Sequence, residues 1–307
     1  MIPVIIPTLC RDEHLKKCIE SLLNNVGVEL IHLYLFVDYP FEEKHKSGYE
    51  KIVNYVENNQ SLFKRFGQFS IIYRSYNYGA YSNSIKAIKE VFLSYDRLIF
   101  SEDDNIFSPN FIAYMQLCLK KMEFNENVFA INGYLYPVKE PLNCGGNTFL
   151  YQGFSAWGCG LWKAKFEKIS YDKTNVINFI LNLKNVRKVN NHNPLLYRTL
   201  LSMLFSDDFY LDAYVDMHLI ETNSKCLLPA VSKVKNMGHD GTGVHCVDDS
   251  SDIFKTQNID EKNFFSLNLD ENYQANELQR YFSLPLISRM KNYYLWLLTR
   301  IKYRKWK

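Results

Sequence analysis

Four short stretches of the chain hold side chains whose types and spacing could do chemistry. The densest is Glu102-Asp103-Asp104, three consecutive carboxylates after the apolar run Arg97-Leu98-Ile99-Phe100. Adjacent acids repel, so a chain tolerates three together either in open solvent or around a cation. One reading is an acidic turn before the next helix, since acids are welcome at a helix N-terminus. The other is a divalent metal carrying phosphates, because hard cations take carboxylate oxygen and share it with substrate phosphate. A second group, Asp207, Asp208, Asp212 and Asp216, falls within ten residues. Positions 208, 212 and 216 share one face of a helix, where like charges destabilise unless the face is solvated or put to use. Asn236 to His245 sets His239 and His245 among three glycines. Two histidines in such a loop are either structural or able to supply a metal ligand or a phosphate donor. Finally, Gly153 to Trp162 has three Gly and two Trp in ten residues. That composition suits either a packing corner or a bent backbone lying against a flat ligand such as a sugar ring.

These groups need elements to hold them. Pro3 to Ile6 reads as a buried first strand ending at Pro7-Thr8, and Arg11 opens an amphipathic helix with Leu15, Cys18, Ile19, Leu22 and Leu23 on one face. Leu30 to Val37 predicts a second strand stopped by Asp38-Tyr39-Pro40. Residues 49–63 predict a helix, Phe69 to Tyr73 a third strand before Asn77-Tyr78-Gly79, and residues 82–93 another helix leading to the acidic strand. Helix signals follow directly through Ser108-Pro109 and Phe111 to Leu119. Val128 to Asn132 is a further strand, and residues 173–205 have an irregular helical pattern. Strands alternating with helices predict an α/β fold, a mostly parallel mixed sheet flanked by helices. Ligands gather at the carboxyl ends of such strands. Thr8, Arg11, Asp38, Asn77, Gly79 and the acid trio all fall at those ends. No GxGxxG or GxxxxGK[ST] motif occurs, so neither a dinucleotide-binding fingerprint nor a P-loop is supported.

Bulk properties narrow the classes. A formal charge of +3 over 307 residues is too small to imply nucleic acid. Seven scattered cysteines without a CxxC pair argue for a reducing compartment and against a disulfide framework or structural zinc. Met1 passes straight into an apolar strand, with no basic leader, and no apolar run is long enough to span a bilayer. These features predict a cytoplasmic protein. After about Ser250 the chain turns polar, as a linker or lid would. From Leu286 apolar residues recur at helical spacing among Arg289, Lys291, Arg300, Lys302, Arg304, Lys305 and Lys307, with no acid. Such a basic amphipathic helix either lies on an anionic membrane surface or docks on the domain with its charges solvated.

Taken together, these residues resemble nucleotide-sugar-dependent glycosyltransferases of the GT-A (Rossmann-like) fold. Ile5-Ile6-Pro7-Thr8 with Arg11 is similar to the opening of the family-2 type, and Asn77 to Asn83 resembles its Asn-x-Gly segment before a helix. Glu102-Asp103-Asp104 stands where that family carries Asp-x-Asp. It is similar to the Glu-Asp-Asp of the N-acetylglucosaminyltransferase that starts complex N-glycan branching. Gly153 to Trp162 resembles the Gly-Trp sugar-binding segment, and Asn236 to His245 the loop that closes over the donor. Leu211-Asp212 stands where these enzymes carry Trp-Asp, so the Trp is replaced here.

The resemblance covers roughly residues 3–250 and implies a domain over 1–250, with a nucleotide-binding half (1–127) and a donor-sugar and acceptor half (128–250). Residues 251–307 would be a linker and a membrane-associating amphipathic tail. It implies an inverting transfer from a nucleotide sugar, a UDP-sugar such as UDP-GlcNAc, to a glycan or lipid-linked oligosaccharide in bacterial surface polysaccharide assembly. Asp104 would hold Mn²⁺ or Mg²⁺ with His239 or His245. Pro7, Thr8, Arg11, Asp38, Asn77, Gly79, Asn83, Glu102, Asp103, Trp157 and Gly158 would bind the donor. Asp212, or alternatively Asp208 or Asp216, would be the base. The membrane partner would be met through residues 286–307 on the inner face of the cell membrane. Two other readings use the same features: a sugar-1-phosphate nucleotidyltransferase, and a non-catalytic carbohydrate-binding or scaffold protein.

Overall fold

The computed structural model describes residues 1–139, 142–206, 209–241 and 257–304. The strands are β1 (Ile2–Thr8), β2 (Ile31–Val37), β3 (Gln68–Tyr73), β4 (Arg97–Phe100), β5 (Asn105–Phe107), β6 (Val128–Asn132), β7 (Thr148–Tyr151), β8 (Cys159–Trp162), β9 (Lys225–Pro229), β10 (Val234–Asn236) and β11 (Leu269–Asp270). Among the described residues, nine of them form one sheet in the order β11-β7-β9-β6-β8-β4-β1-β2-β3. Strands β3, β2, β1 and β4 run parallel, β8 runs against both β4 and β6, and β9 follows β6. β7 opposes β9 and carries β11 along its outer edge. The predicted α/β architecture, a mostly parallel sheet flanked by helices, is the one observed.

β1 is buried along almost its whole length, as a parallel strand covered on both faces must be. Its two prolines are tolerated for a specific reason. Ile5 O accepts from Ser101 N at 3.0 Å, so odd-numbered residues face β4. That strand pairs with β1 only through Val4 and Ile5. Pro3 and Pro7 therefore sit where no ladder bond is lost. Alternation sorts the side chains into two cores. Val4, Ile6 and Ile99 join Leu15, Ile19 and Leu22 of the helix Asp12–Leu23 on one face. Ile5, Leu98 and Phe100 join Ala87 and Ile88 of the helix Ala80–Val91 on the other.

The structure departs from the sequence pattern at three places. The helix expected from residue 49 begins earlier, at Glu43, and runs to Asn58 before a short turn of helix at Gln60–Phe63. Second, the acid trio is followed not directly by a helix but by β5, which pairs antiparallel with β10. The helix Phe111–Met122 starts only after Ser108-Pro109. This pairing spans more than a hundred residues of sequence, so no local propensity announces it. Third, the polar stretch from residue 257 is bonded into the domain. Asn110 Nδ2 donates to Asp260 Oδ2 at 3.1 Å and to Phe264 O at 3.0 Å. Buried Lys233 also bonds Asp260.

Candidate functional site

The acid trio sits at the carboxyl end of β4, beside the carboxyl end of β1, and the chain itself supplies a cation there. Arg11, just ahead of the helix Asp12–Leu23, donates through one terminal nitrogen to Asp104 Oδ2 at 2.8 Å and through the other to Asp103 Oδ1. Thr8 Oγ1 donates to Asp103 Oδ2 at 2.6 Å. Burial works against the charged guanidinium, but Asp103, Asp104 and Glu102 outweigh it and raise its pKa. One cation does not balance the cluster. Burial, then the charges of Asp104 and Asp212, push Glu102 up to about 8 against the pull of Arg11. Burial likewise raises Asp104, with Asp103 adding to it and Arg11 opposing. Upward shifts despite a bonded arginine come chiefly from burial, with the neighbouring carboxylates adding to it.

The β5–β10 pairing closes the site from the far side. Asn236 Nδ2 donates to Asp104 Oδ1 at 2.7 Å and to Asn105 Oδ1 at 3.1 Å, while Met237 N donates to Asp104 O at 2.9 Å. Gly238 is packed so tightly that an added Cβ would lie 2.1 Å from Asp104 Oδ2. Only glycine fits such a cradle. His239 follows, with its ring edge-on to Trp157 at 5.7 Å between centroids. A cavity of about 250 Å³ opens beside Asp104, between Glu13, His14 and Lys17 of the first helix and Met237 and Asp240 of the loop. His245 and Asp208 lie outside the described residues.

Asp212 and Asp216 face inward from the helix Leu211–Thr222. Asp216 Oδ1 accepts from Phe154 N at 2.9 Å, and Asp212 accepts from the backbone N–H of Ala156. The two acids thus brace the bent Gly153–Trp162 segment, and Asp212 lies within electrostatic reach of Glu102. Burial pushes Asp212 up to about 7, the Ala156 hydrogen bond opposing, and drives Asp216 well above the usual carboxylate range, with Asp212 adding to it. The two tryptophans part company. Trp157 is partly exposed and edge-on to Tyr134 at 4.7 Å. Trp162 is buried, and its Nε1 donates to Leu119 O at 3.2 Å. Gly158, at φ 67°, has Val234 Cγ2 2.7 Å from where a Cβ would stand.

The ends of β2 and β3 form a third group. Asp38 is buried, and its carboxylate accepts from the backbone N–H groups of Tyr39 at 3.0 Å, Tyr78 at 2.9 Å and Gly79 at 2.9 Å. It thereby folds the Tyr76–Gly79 turn. Asn77 Nδ2 donates to Tyr39 O at 2.7 Å. Asn83 is buried behind the turn. It donates to Phe36 O at 3.2 Å and accepts from Arg74 Nε at 2.8 Å. Pro7 is half-buried at the end of β1.

The acid trio, Thr8, Arg11, His239 and Trp157 therefore share one region with Asp212, while Asp38 and Asn83 hold up the neighbouring turn from behind. Several residues that matter here carried no strong sequence signal. Asn236 grips Asp104, and Gly238 N donates back to Asn236 Oδ1 at 2.9 Å; an Asn two residues before a Gly is the local hint of such a turn. The Tyr76 and Tyr78 rings meet at a tilt, 4.2 Å between centroids, with Lys86 4.3 Å from the Tyr78 ring, and Tyr76 is largely exposed.

The donor set suits a hard divalent cation in type, since it offers carboxylate oxygens, three carboxyl groups beside one guanidinium. Among the described residues, no three His, Cys, Asp or Glu side chains form a ready shell. A bound ion would therefore complete its coordination with oxygens of a phosphate ligand or water, as such ions commonly do.

No protein-family model matches the chain, and no curated protein matches its sequence. Among solved structures, the mannosyltransferase PcManGT from Pyrobaculum calidifontis, in complex with GDP-Man and Mn²⁺, is similar at 8% identity over 72% of this chain and 74% of that one, with a TM-score of 0.40. S. aureus TarS 1–349 is similar at 12% identity over 56% of this chain and 50% of that one, with a TM-score of 0.38. Its complex with UDP-GlcNAc gives 11% over 48% and 33%, with a TM-score of 0.30. Likeness at these scores carries no weight for what the chain does.

Proposed function

We propose that the chain is an inverting, metal-dependent glycosyltransferase that moves a sugar from a nucleotide sugar to an acceptor hydroxyl. The single observation behind this reading is the juxtaposition of two unlike acidic sites. A cluster of three acids bonded to one arginine lies within electrostatic reach of Asp212, a carboxyl poised at about 7. The first suits a metal-bound diphosphate. The second suits a general base, which works best with a pKa near the operating pH.

Asp104, with Asp103 beside it, would hold Mn²⁺ or Mg²⁺. When bound, that ion supplies Lewis-acid neutralisation of the charge arriving on the diphosphate. Arg11 is placed to transfer its two-armed grip from the carboxylates to phosphate oxygens. Asp212 accepts the acceptor's hydroxyl proton while the hydroxyl oxygen bonds to the anomeric carbon. The bond from that carbon to the diphosphate breaks and its electron pair leaves with the diphosphate. Attack opposite the leaving group inverts the centre, with no covalent enzyme intermediate. Tyr76, Asn77 and Tyr78 would take the base, assigned as uracil, and Trp157 would face the sugar. His239, with His245 from the same Gly-rich stretch of sequence, would close over the donor.

We assign the acceptor to glycans or lipid-linked oligosaccharides of surface polysaccharide assembly. The protein would be peripheral on the inner face of the membrane, which the basic residues of 286–307 support. The test is a thermal-shift panel of UDP-, GDP- and dTDP-sugars with and without Mn²⁺. Ligand at a hundred times its Kd stabilises by about 2.7 kcal/mol. A metal-dependent rise with one nucleotide class supports the reading. No shift with any nucleotide overturns it, and a shift without release of nucleoside diphosphate, whether acceptor or water is offered to take the sugar, favours a non-catalytic carbohydrate-binding role.

A further inference from the structure

We propose that the helix Leu286–Arg304 binds an anionic lipid surface while still docked on the domain, presenting an apolar outer face that the fold turns to solvent. The inference rests on the membrane association proposed above and on nothing in the donor site. A helix packed on a globular domain ordinarily buries its apolar stripe and shows water its polar side. In this helix Leu295 and Trp296 pack inward, but the longer apolar row faces solvent. Its inner face is held by polar bonds: Asn292, fully buried, donates to Asn190 Oδ1 at 2.7 Å and Pro194 O at 2.8 Å, and accepts from Arg198 Nε at 3.1 Å. Arg198 also donates to Ser288 O and Ser288 Oγ, both at 2.7 Å, and Trp296 Nε1 donates to Leu181 O at 2.9 Å. Directional bonds of this kind fix the helix in one orientation.

The outer face carries Leu286, Ile287, Met290, Tyr294, Leu297 and Ile301, from 47% to 84% exposed. Their spacing makes one stripe along the full helix. Phe205, beneath Lys302 at 5.1 Å and 65% exposed, continues it onto the neighbouring segment. A row of large apolar side chains held outward marks an interaction surface. Charge selects the occupant. Between residues 286 and 307 there are seven Lys and Arg and no acid. A second copy packed about a two-fold axis would bring like charges together, whereas anionic headgroups attract every one of them. Among the described residues no helix is long and apolar enough to cross a bilayer, so the contact is one of lying on the surface.

The test uses the full chain with vesicles of phosphatidylcholine alone or mixed with phosphatidylglycerol. Co-sedimentation is expected only with the mixed vesicles, and Ile287→Gln with Tyr294→Gln and Leu297→Gln lowers that affinity by at least about tenfold with Tm kept. Hydrogen exchange on the bound protein is expected to leave residues 183–203 as protected as in solution. No binding to mixed vesicles overturns the inference together with the membrane reading, while nucleotide-sugar binding, measured separately, still stands or falls by itself. Binding with loss of protection at 183–203 overturns docked binding alone and leaves membrane association standing. A lipid-free dimer abolished by the triple variant also overturns it, by making the face a subunit contact.

Discussion

At the scale of single residues, Arg11 changes the meaning of the acid trio. Three adjacent carboxylates demand a positive partner, and in the free protein that partner is covalently part of the chain. On the proposed mechanism Arg11 and an incoming metal would compete for Asp104, while Arg11 and the diphosphate would attract. Arg11→Gln is expected to strengthen the binding of Mn²⁺ alone and to weaken UDP binding by about tenfold, the loss of a charge-assisted pair. Calorimetric titration of each ligand checks both signs, and weakening of both would refute the competition. Asp212→Asn is expected to keep donor affinity and lower transfer by about 10²–10⁴-fold. If Asp212 is the base, the rate of the parent protein is expected to rise with pH through about 7, because the carboxyl must lose its proton before it can accept another. Full turnover in Asp212→Asn would hand the role to Asp216 or Asp208.

At the scale of elements, two strands too short to stand alone do most of the assembly. β5 and β10 meet through only three residue pairs, yet they carry the loop with Asn236 and Gly238 onto Asp104. The segment from residue 257 holds this arrangement from behind through Lys233, a buried amine lying over the rings of Tyr114 and Phe265 and bonded to Asp260. Breaking one partner of a buried pair leaves the other uncompensated, which typically destabilises by about 3–5 kcal/mol. Lys233→Met should therefore lower the urea midpoint markedly, and Lys233→Met with Asp260→Asn should recover much of it. An additive double variant would show that the pair does not act as a unit.

At the scale of the whole molecule, the inward acids link stability to pH. Glu102, Asp104, Asp212 and Asp216 are all shifted upward, chiefly by burial. The folded state therefore holds protons more tightly than the unfolded chain does. The stability so contributed is complete below the ordinary carboxylate values of 3.8 and 4.5, and is lost as pH rises through about 7 for Asp212 and about 8 for Glu102. The Tm of metal-free protein is expected to fall across that window, with Glu102→Gln flattening the fall and Mn²⁺ opposing it. A Tm that climbs from pH 5 to pH 9 would sink the idea that these acids are uncompensated.

The order of strands and helices in the first half, and the placing of Thr8, Arg11, Asp38, Asn77 and the acid trio at strand ends, could be read from the sequence. Buried parallel strands are continuous apolar runs, and the polar residues that end them are local features. The four-residue spacing of Asp212 and Asp216 could also be read, but not that both would turn inward onto Phe154 and Ala156. What only the tertiary structure decided is which distant groups meet. Asn236 on Asp104, Asp38 folding the Tyr76–Gly79 turn, Lys233 on Asp260 and the outward apolar face of the last helix all depend on contacts between residues far apart in the chain. Local propensity and periodicity fix how a segment folds and which of its faces is apolar. Only the packing of the remaining elements settles what that face will touch.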